Sequence, residues 1–178
     1  MAKLPKEYQF LDLSDYGRTG GRWIAKQLKN TCFTPIHVTT LFIFAGLIAI
    51  GCMLNGYYKI AALFIILKSI LDAADGELSR LKNTPSYTGR YYDSIADIIL
   101  NFCFLLAFWH ITDSSIIYML IAFFGIQLQG TVYNYYYVIL RNAVEGDSTS
   151  RIFEDAAPKA LKGESQRTVN IFYNIYDI

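Results

Sequence analysis

Four apolar stretches decide what this 178-residue chain can fold into. They run from Ile36 to Leu54, Tyr57 to Leu71, Tyr91 to Ile111 and Ile116 to Leu140. A helix needs about 20 mainly apolar residues to cross a bilayer. The stretches therefore predict an all-α fold, a polytopic bundle of four spanning helices. Thr34-Pro35 makes a good start for the first helix, and Asn55-Gly56 makes a turn after it. The second stretch runs on into a polar segment that begins at Asp72. Charged residues make up only 17% of the chain, against about 25% in a soluble domain.

Several classes fall away. With a net charge of +1 and no separate basic block, nothing points to nucleic acid. Cys32, Cys52 and Cys103 give neither a disulfide framework nor a metal knuckle. His37 and His110 are too far apart for a local metal motif. The first thirty residues hold no apolar core, so a cleavable signal peptide is not expected.

Loop charges predict the orientation. Lys3, Lys6, Arg18, Arg22, Lys26 and Lys29 precede the first span, and Arg80, Lys82 and Arg90 lie between the second and third. Arg141, Arg151, Lys159, Lys162 and Arg167 follow the fourth, whereas the two opposite turns offer only Lys59. Lys and Arg gather on the cytoplasmic side, so both termini and the Asp72–Asp93 region are expected there. Within the leader, Asp15–Asn30 mixes its basic residues with Trp23, Ile24 and Leu28. It reads as a helix lying in the headgroup layer, or else as a solvated basic leader.

The chemistry is concentrated in Asp72-Ala-Ala-Asp75-Gly76-Glu-Leu-Ser79-Arg80, eight further residues, then Gly89-Arg-Tyr-Tyr-Asp93-Ser-Ile-Ala-Asp97. On a helix, Asp72, Asp75, Gly76, Ser79 and Arg80 share a face, as do Asp93 and Asp97 on the next. An antiparallel pair points all four carboxylates at one another, where they cannot stay ionised without cations. Hard oxygen ligands favour Mg²⁺ or Mn²⁺, and two such ions clamp an in-line attack at phosphorus. Gly76 leaves space for a nucleotide, and Arg80 can grip a phosphate. Gly89, after Pro85 and Ser86, opens the third helix.

This pattern resembles the signature of the CDP-alcohol phosphotransferase family, D-x-x-D-G-x-x-A-R-x8-G-x3-D-x3-D, departing only where Ser79 replaces Ala. A chance match is on the order of one in 10⁵ or rarer. A weaker resemblance lies at Thr34-Pro35-Ile36-His37-Val38-Thr39, near the family's Thr-Pro-Asn-x-x-Thr, with Ile36 in place of Asn. The resemblance covers roughly Cys32 to Arg141 and implies a bundle usually of six spans, acting as a homodimer on phospholipid synthesis. It implies that Asp72, Asp75, Asp93 and Asp97 bind two metal ions and that Asp97 is also the general base. It further implies a CDP-linked donor held near Pro35, Ile36, His37, Val38, Gly76, Ser79, Arg80, Ser86 and Gly89, and an alcohol acceptor.

An ion or proton pathway would explain isolated intramembrane carboxylates, though not the Gly76, Arg80 and Gly89 pattern. A catalytically silent homologue is the other alternative. For the acceptor, Gln127, Asn134 and Arg141 follow helical spacing along the fourth span, and Arg141 suits an anionic group. The same residues could instead bond neighbouring helices and obey the charge rule. The expected organisation is a cytoplasmic or interfacial segment at 1–31, a catalytic bundle at 32–142 and a tail at 143–178. Val169 to Ile178 is too short to span, so that tail is either truncated or interfacial.

Overall fold

The computed structural model describes residues 16–144, 149 and 151–177. Lys3, Lys6 and Asp15, counted above toward the basic leader, lie outside those residues. Among the described residues there are six α-helices: α1 (Arg18–Leu28), α2 (Pro35–Leu54), α3 (Tyr58–Lys82), α4 (Tyr87–Thr112), α5 (Ile116–Ala143) and α6 (Gln166–Tyr176).

The turn residues start and stop these helices as their chemistry dictates. Thr34 caps α2 reciprocally: its hydroxyl accepts the His37 amide N–H at 3.4 Å, and His37 Nδ1 accepts the Thr34 N–H at 3.1 Å. Histidine thus does the work usually done by Glu or Gln in such a box. Gly56 ends the α2–α3 turn at φ +78°, a conformation that favours glycine. Asn83 closes α3 in the left-handed region, and the Ser86 hydroxyl accepts the Gly89 amide N–H at 2.8 Å to open α4. This short connection turns the chain back, so that α4 runs antiparallel to α3.

α2 stands between α3 and α4 and packs against both. Phe42, Ala96 and Leu100 join α2 to α4, and Met53, Ala61 and Ala107 close the far end. Small residues on α2 permit the close approach, since a methyl group at Gly46 would stand 2.9 Å from Leu100. α5 packs against α4 and leaves Ile117, Ile121, Phe124 and Leu128 exposed. Among the described residues, three helices, α2, α4 and α5, are long and apolar enough to cross a membrane. The fourth expected span, α3, falls short because Lys68 and the carboxylates from Asp72 onward interrupt its apolar surface.

The described segments before α2 and after α5 both dock onto this core. The tail folds back so that Val169 and Tyr173 of α6 bury Tyr91 of α4. Glu154 bridges Arg90 and the Tyr91 hydroxyl, while the Tyr173 hydroxyl donates to the Glu154 carbonyl at 2.6 Å. At the other end, α1 lies along α3, with Ala25 buried against Ala74 and Leu78. The contact is close because α1 presents glycines. A methyl group at Gly21 would stand 2.9 Å from backbone atoms of Ala73 and Ala74, and one at Gly17 2.9 Å from the Ser69 carbonyl oxygen.

Those neighbours are backbone and cannot rotate aside. Gly21→Ala should therefore destabilise the detergent-solubilised protein by about 1–3 kcal/mol, even though Ala is the better helix former. Gly51→Ala, where nothing lies within 4 Å, should be neutral or stabilising. Thermal unfolding of the two variants side by side checks this.

Candidate active site

Spacings of three and four residues set Asp72, Asp75, Gly76, Ser79 and Arg80 along one side of α3. The antiparallel α4 brings Asp93 against that side. One carboxylate oxygen from each of Asp72, Asp75 and Asp93 lies within 4.8 Å of the others. Asp75 is buried, and its Oδ2 accepts the Thr39 hydroxyl of α2 at 2.6 Å. Three carboxylates this close repel strongly unless a cation neutralises them, and an all-oxygen set fits a hard divalent cation. Asp97 is not one of the three. One turn further along α4, it accepts a hydrogen bond from the Lys68 ammonium of α3.

Beside the acids opens a cleft of about 1260 Å³. Of the residues expected at a donor, Pro35, Ile36, Gly76, Ser79, Arg80, Ser86 and Gly89 line it. His37 and Val38 do not: the His37 ring is turned back to cap α2, and Val38 is fully buried against Ala74 and Leu78. Of the residues expected at an acceptor, Asn134 and Arg141 line the cleft, and the Arg141 guanidinium lies 4.2 Å from the centre of the Tyr137 ring. Gln127 stands about two turns before Asn134 on α5 and is not part of the wall. Ser79, the departure from the family pattern, uses its hydroxyl to bond the Thr84 carbonyl at 3.0 Å, which ties the α3–α4 connection to α3.

Sequence reasoning missed four polar residues. Lys68 had a signal, a lone cation inside an apolar run and one turn before Asp72. Thr39 lay in the quoted Thr-Pro motif without being assigned. Glu77 is buried inside the signature and pairs with Arg80 at 3.0 Å and with Arg22 at 3.5 Å. Glu164 had no local signal at all. Its carboxylate accepts the Ser86 hydroxyl at 2.8 Å and the amide N–H groups of Thr88 at 2.7 Å and Tyr87 at 3.2 Å. The tail thus supplies an anion to the N-terminus of α4, where the helix dipole favours one. The amides of Tyr87, Thr88 and Gly89 are consequently all engaged within the protein.

Among the described residues, three helices apolar enough to span a bilayer, beside an acidic cluster on α3 and α4 that suits a cation, point to an integral membrane protein. The family model for CDP-alcohol phosphatidyltransferase matches residues 32–152, and the chain belongs to that family. The family consists of transferases of substituted phosphate groups that use a CDP-alcohol donor and an alcohol acceptor in a lipid setting, typically with a divalent metal. No curated protein and no solved structure matches the chain.

The Glu164 contact is sensitive to pH. Burial alone raises its pKa, but the Thr88 amide, the Ser86 hydroxyl and the Leu161 amide together hold it below its ordinary 4.5. A depressed carboxylate pKa adds stability above the unfolded value and loses it as pH falls through the folded one. Wild type should therefore be more stable than Glu164→Gln at pH 7. That advantage should shrink as pH drops below 4.5 and vanish in stronger acid. Thermal unfolding of both proteins across this range reads the difference directly.

Proposed function

We propose that the chain transfers a phosphatidyl group from CDP-diacylglycerol to an alcohol acceptor, with metal dependence and release of CMP. The observation that carries this reading is the meeting of Asp72, Asp75 and Asp93 beside a cleft lined by Gly76, Ser79 and Arg80. These three aspartates, with Asp97 as a fourth ligand, are the residues that would hold two Mg²⁺ or Mn²⁺ ions. When bound, such ions offset charge on the phosphoryl oxygens and on the departing CMP.

The chain's own groups do the rest. Asp97 accepts the proton of the acceptor hydroxyl. The freed oxygen forms a bond to the donor's β-phosphorus, and the bond to the CMP phosphate oxygen breaks with its electron pair on CMP. Gly76 gives the nucleotide room: a methyl group there would meet nothing nearer than Arg80 Nη1 at 3.5 Å, so protein packing does not demand the glycine. Arg80 Nε is buried without a hydrogen-bond partner, and a donor phosphate would supply one. Asn134 and Arg141, on the α5 side of the cleft, suit an anionic acceptor. CDP-choline or CDP-ethanolamine with a diacylglycerol acceptor is the same chemistry with the lipid on the other partner.

The proposed setting follows from the charge pattern. α3 serves as the fourth span, α1 lies at the headgroup level with Trp23 exposed, and the acids face the cytoplasm, where CDP-linked substrates are made. Residues 1–31 form the leader, 32–142 the catalytic bundle and 143–178 the tail, and the protein works as a homodimer.

Asp97→Asn should lower turnover by about 10²-fold or more while CDP binding persists. Gly76→Leu should keep the fold yet block CDP. Excess chelator should abolish wild-type activity, and added Mg²⁺ or Mn²⁺ should restore it. Radiolabelled CDP-diacylglycerol offered with serine, glycerol 3-phosphate, inositol phosphate or phosphatidylglycerol identifies the acceptor. Full activity in excess chelator sinks the reading.

A further inference from the structure

We propose that α1, which precedes the family-matched residues, is part of the donor site, with Arg22 and Glu77 as positioning residues for the Arg80 guanidinium. The inference rests on the reading of Arg80 as a ligand of the donor phosphate.

Glu77 occupies a variable position of the signature, between Gly76 and Leu78, yet its side chain is only 8% exposed. A carboxylate buried that far needs compensating charge. It receives two cations from two helices: Arg80 Nη2 lies 3.0 Å from Glu77 Oε1, and Arg22 Nε of α1 lies 3.5 Å from the same oxygen. One cation would have sufficed to neutralise the carboxylate. With Arg80 alone, Glu77 would cancel the charge that a phosphate is meant to meet. Arg22 shares the carboxylate, so the trio keeps one net positive charge.

Geometry gives Arg22 a second effect. The Arg80 side chain is long and has many rotamers, and a guanidinium binds phosphate best when held in one plane. Glu77 pins Nη2, Nη1 lies over Gly76, and the buried Nε keeps its donor unspent. α1 is itself held on α3 by the backbone contacts of Gly17 and Gly21. Gly17 and Arg18 then help line a cavity of about 300 Å³ that also includes Asp72, Glu77 and Arg80. The first helix therefore closes one side of the acidic cluster.

Arg22 is half-exposed, and a pair of this kind contributes little to folding. Its removal should be read in donor binding. The test uses the full chain in detergent with Mg²⁺, CDP titrated by calorimetry, and kinetics with CDP-diacylglycerol. Arg22→Ala should raise the CDP Kd and the donor KM on the order of five- to tenfold. Acceptor KM, kcat and thermal unfolding should stay unchanged. Arg22→Lys, which keeps the charge, should recover part of the loss. In an Arg80→Ala background, Arg22→Ala should have no further effect, because its target is gone. Unchanged CDP affinity in Arg22→Ala, or equal losses in both backgrounds, overturns the inference while leaving Arg80 as a donor ligand. Unchanged CDP affinity in Arg80→Ala removes the underlying reading itself, and the inference with it.

Discussion

Carboxylates placed at the polar end of an apolar bundle are the constraint around which this structure is arranged. An ionised acid taken out of water costs several kcal/mol unless it is paired or hydrogen-bonded, and here three lie within 4.8 Å of one another. The elements around them answer that demand. α2 donates the Thr39 hydroxyl to Asp75, α3 turns Lys68 toward Asp97, and α1 sends Arg22 to Glu77. Residual repulsion among Asp72, Asp75 and Asp93 favours a divalent cation, so the feature that costs folding energy also creates binding energy. It explains as well why α3 is the least membrane-like of the long helices. The helix that carries most of the charge cannot also be apolar throughout.

The N-terminus of α4 shows the same economy on a smaller scale. Its first amides would otherwise be an anion site facing the cleft. Glu164 and Ser86 take those amides, so the wall near Ser86 and Gly89 is shaped by the protein rather than left open to a phosphate. The positive charge along the cleft is therefore carried by side chains, among them Arg80, Arg141 and Lys162. Ser86 lines the cleft, but its hydroxyl is already committed to Glu164 and the Gly89 amide.

Local chemistry was legible in the sequence because local chemistry is what sequence spacing encodes. The Thr34-Pro35 start, the Asn55-Gly56 turn and the starts of α4 and α5 fall within a few residues of where turn and cap residues put them. The three gathered aspartates were legible for the same reason, being two helical stripes joined by a short connection. What escaped was set by partners far along the chain. Glu164 caps a helix 76 residues away from it, and no window of sequence contains both. The docking of α1 on α3 escaped as well, because its glycines carry no sign of the backbone they meet. Its alternation of Arg with Trp23 and Leu28 suits a lipid headgroup and a protein groove equally. Asp97 was grouped with the other acids by its four-residue spacing from Asp93, but Lys68 from the facing helix competes for it.

The division of labour in the cleft follows from where these pieces come from. The aspartates, Gly76 and Arg80 sit on α3 and α4, within the family-matched residues 32–152. Parts of the surrounding wall come from outside that range: Gly17 and Arg18 on one side, Lys162, Glu164 and Thr168 on another. The acids are borne by two helices that both pack on α2, while other segments supply parts of the surrounding wall. Each outer segment is also tied to the reactive core by a charge: Arg22 to Glu77 from the front, Glu164 to the α4 amides from the back. The segments flanking the family-matched residues therefore shape the cleft through contacts with the helices that carry the acids.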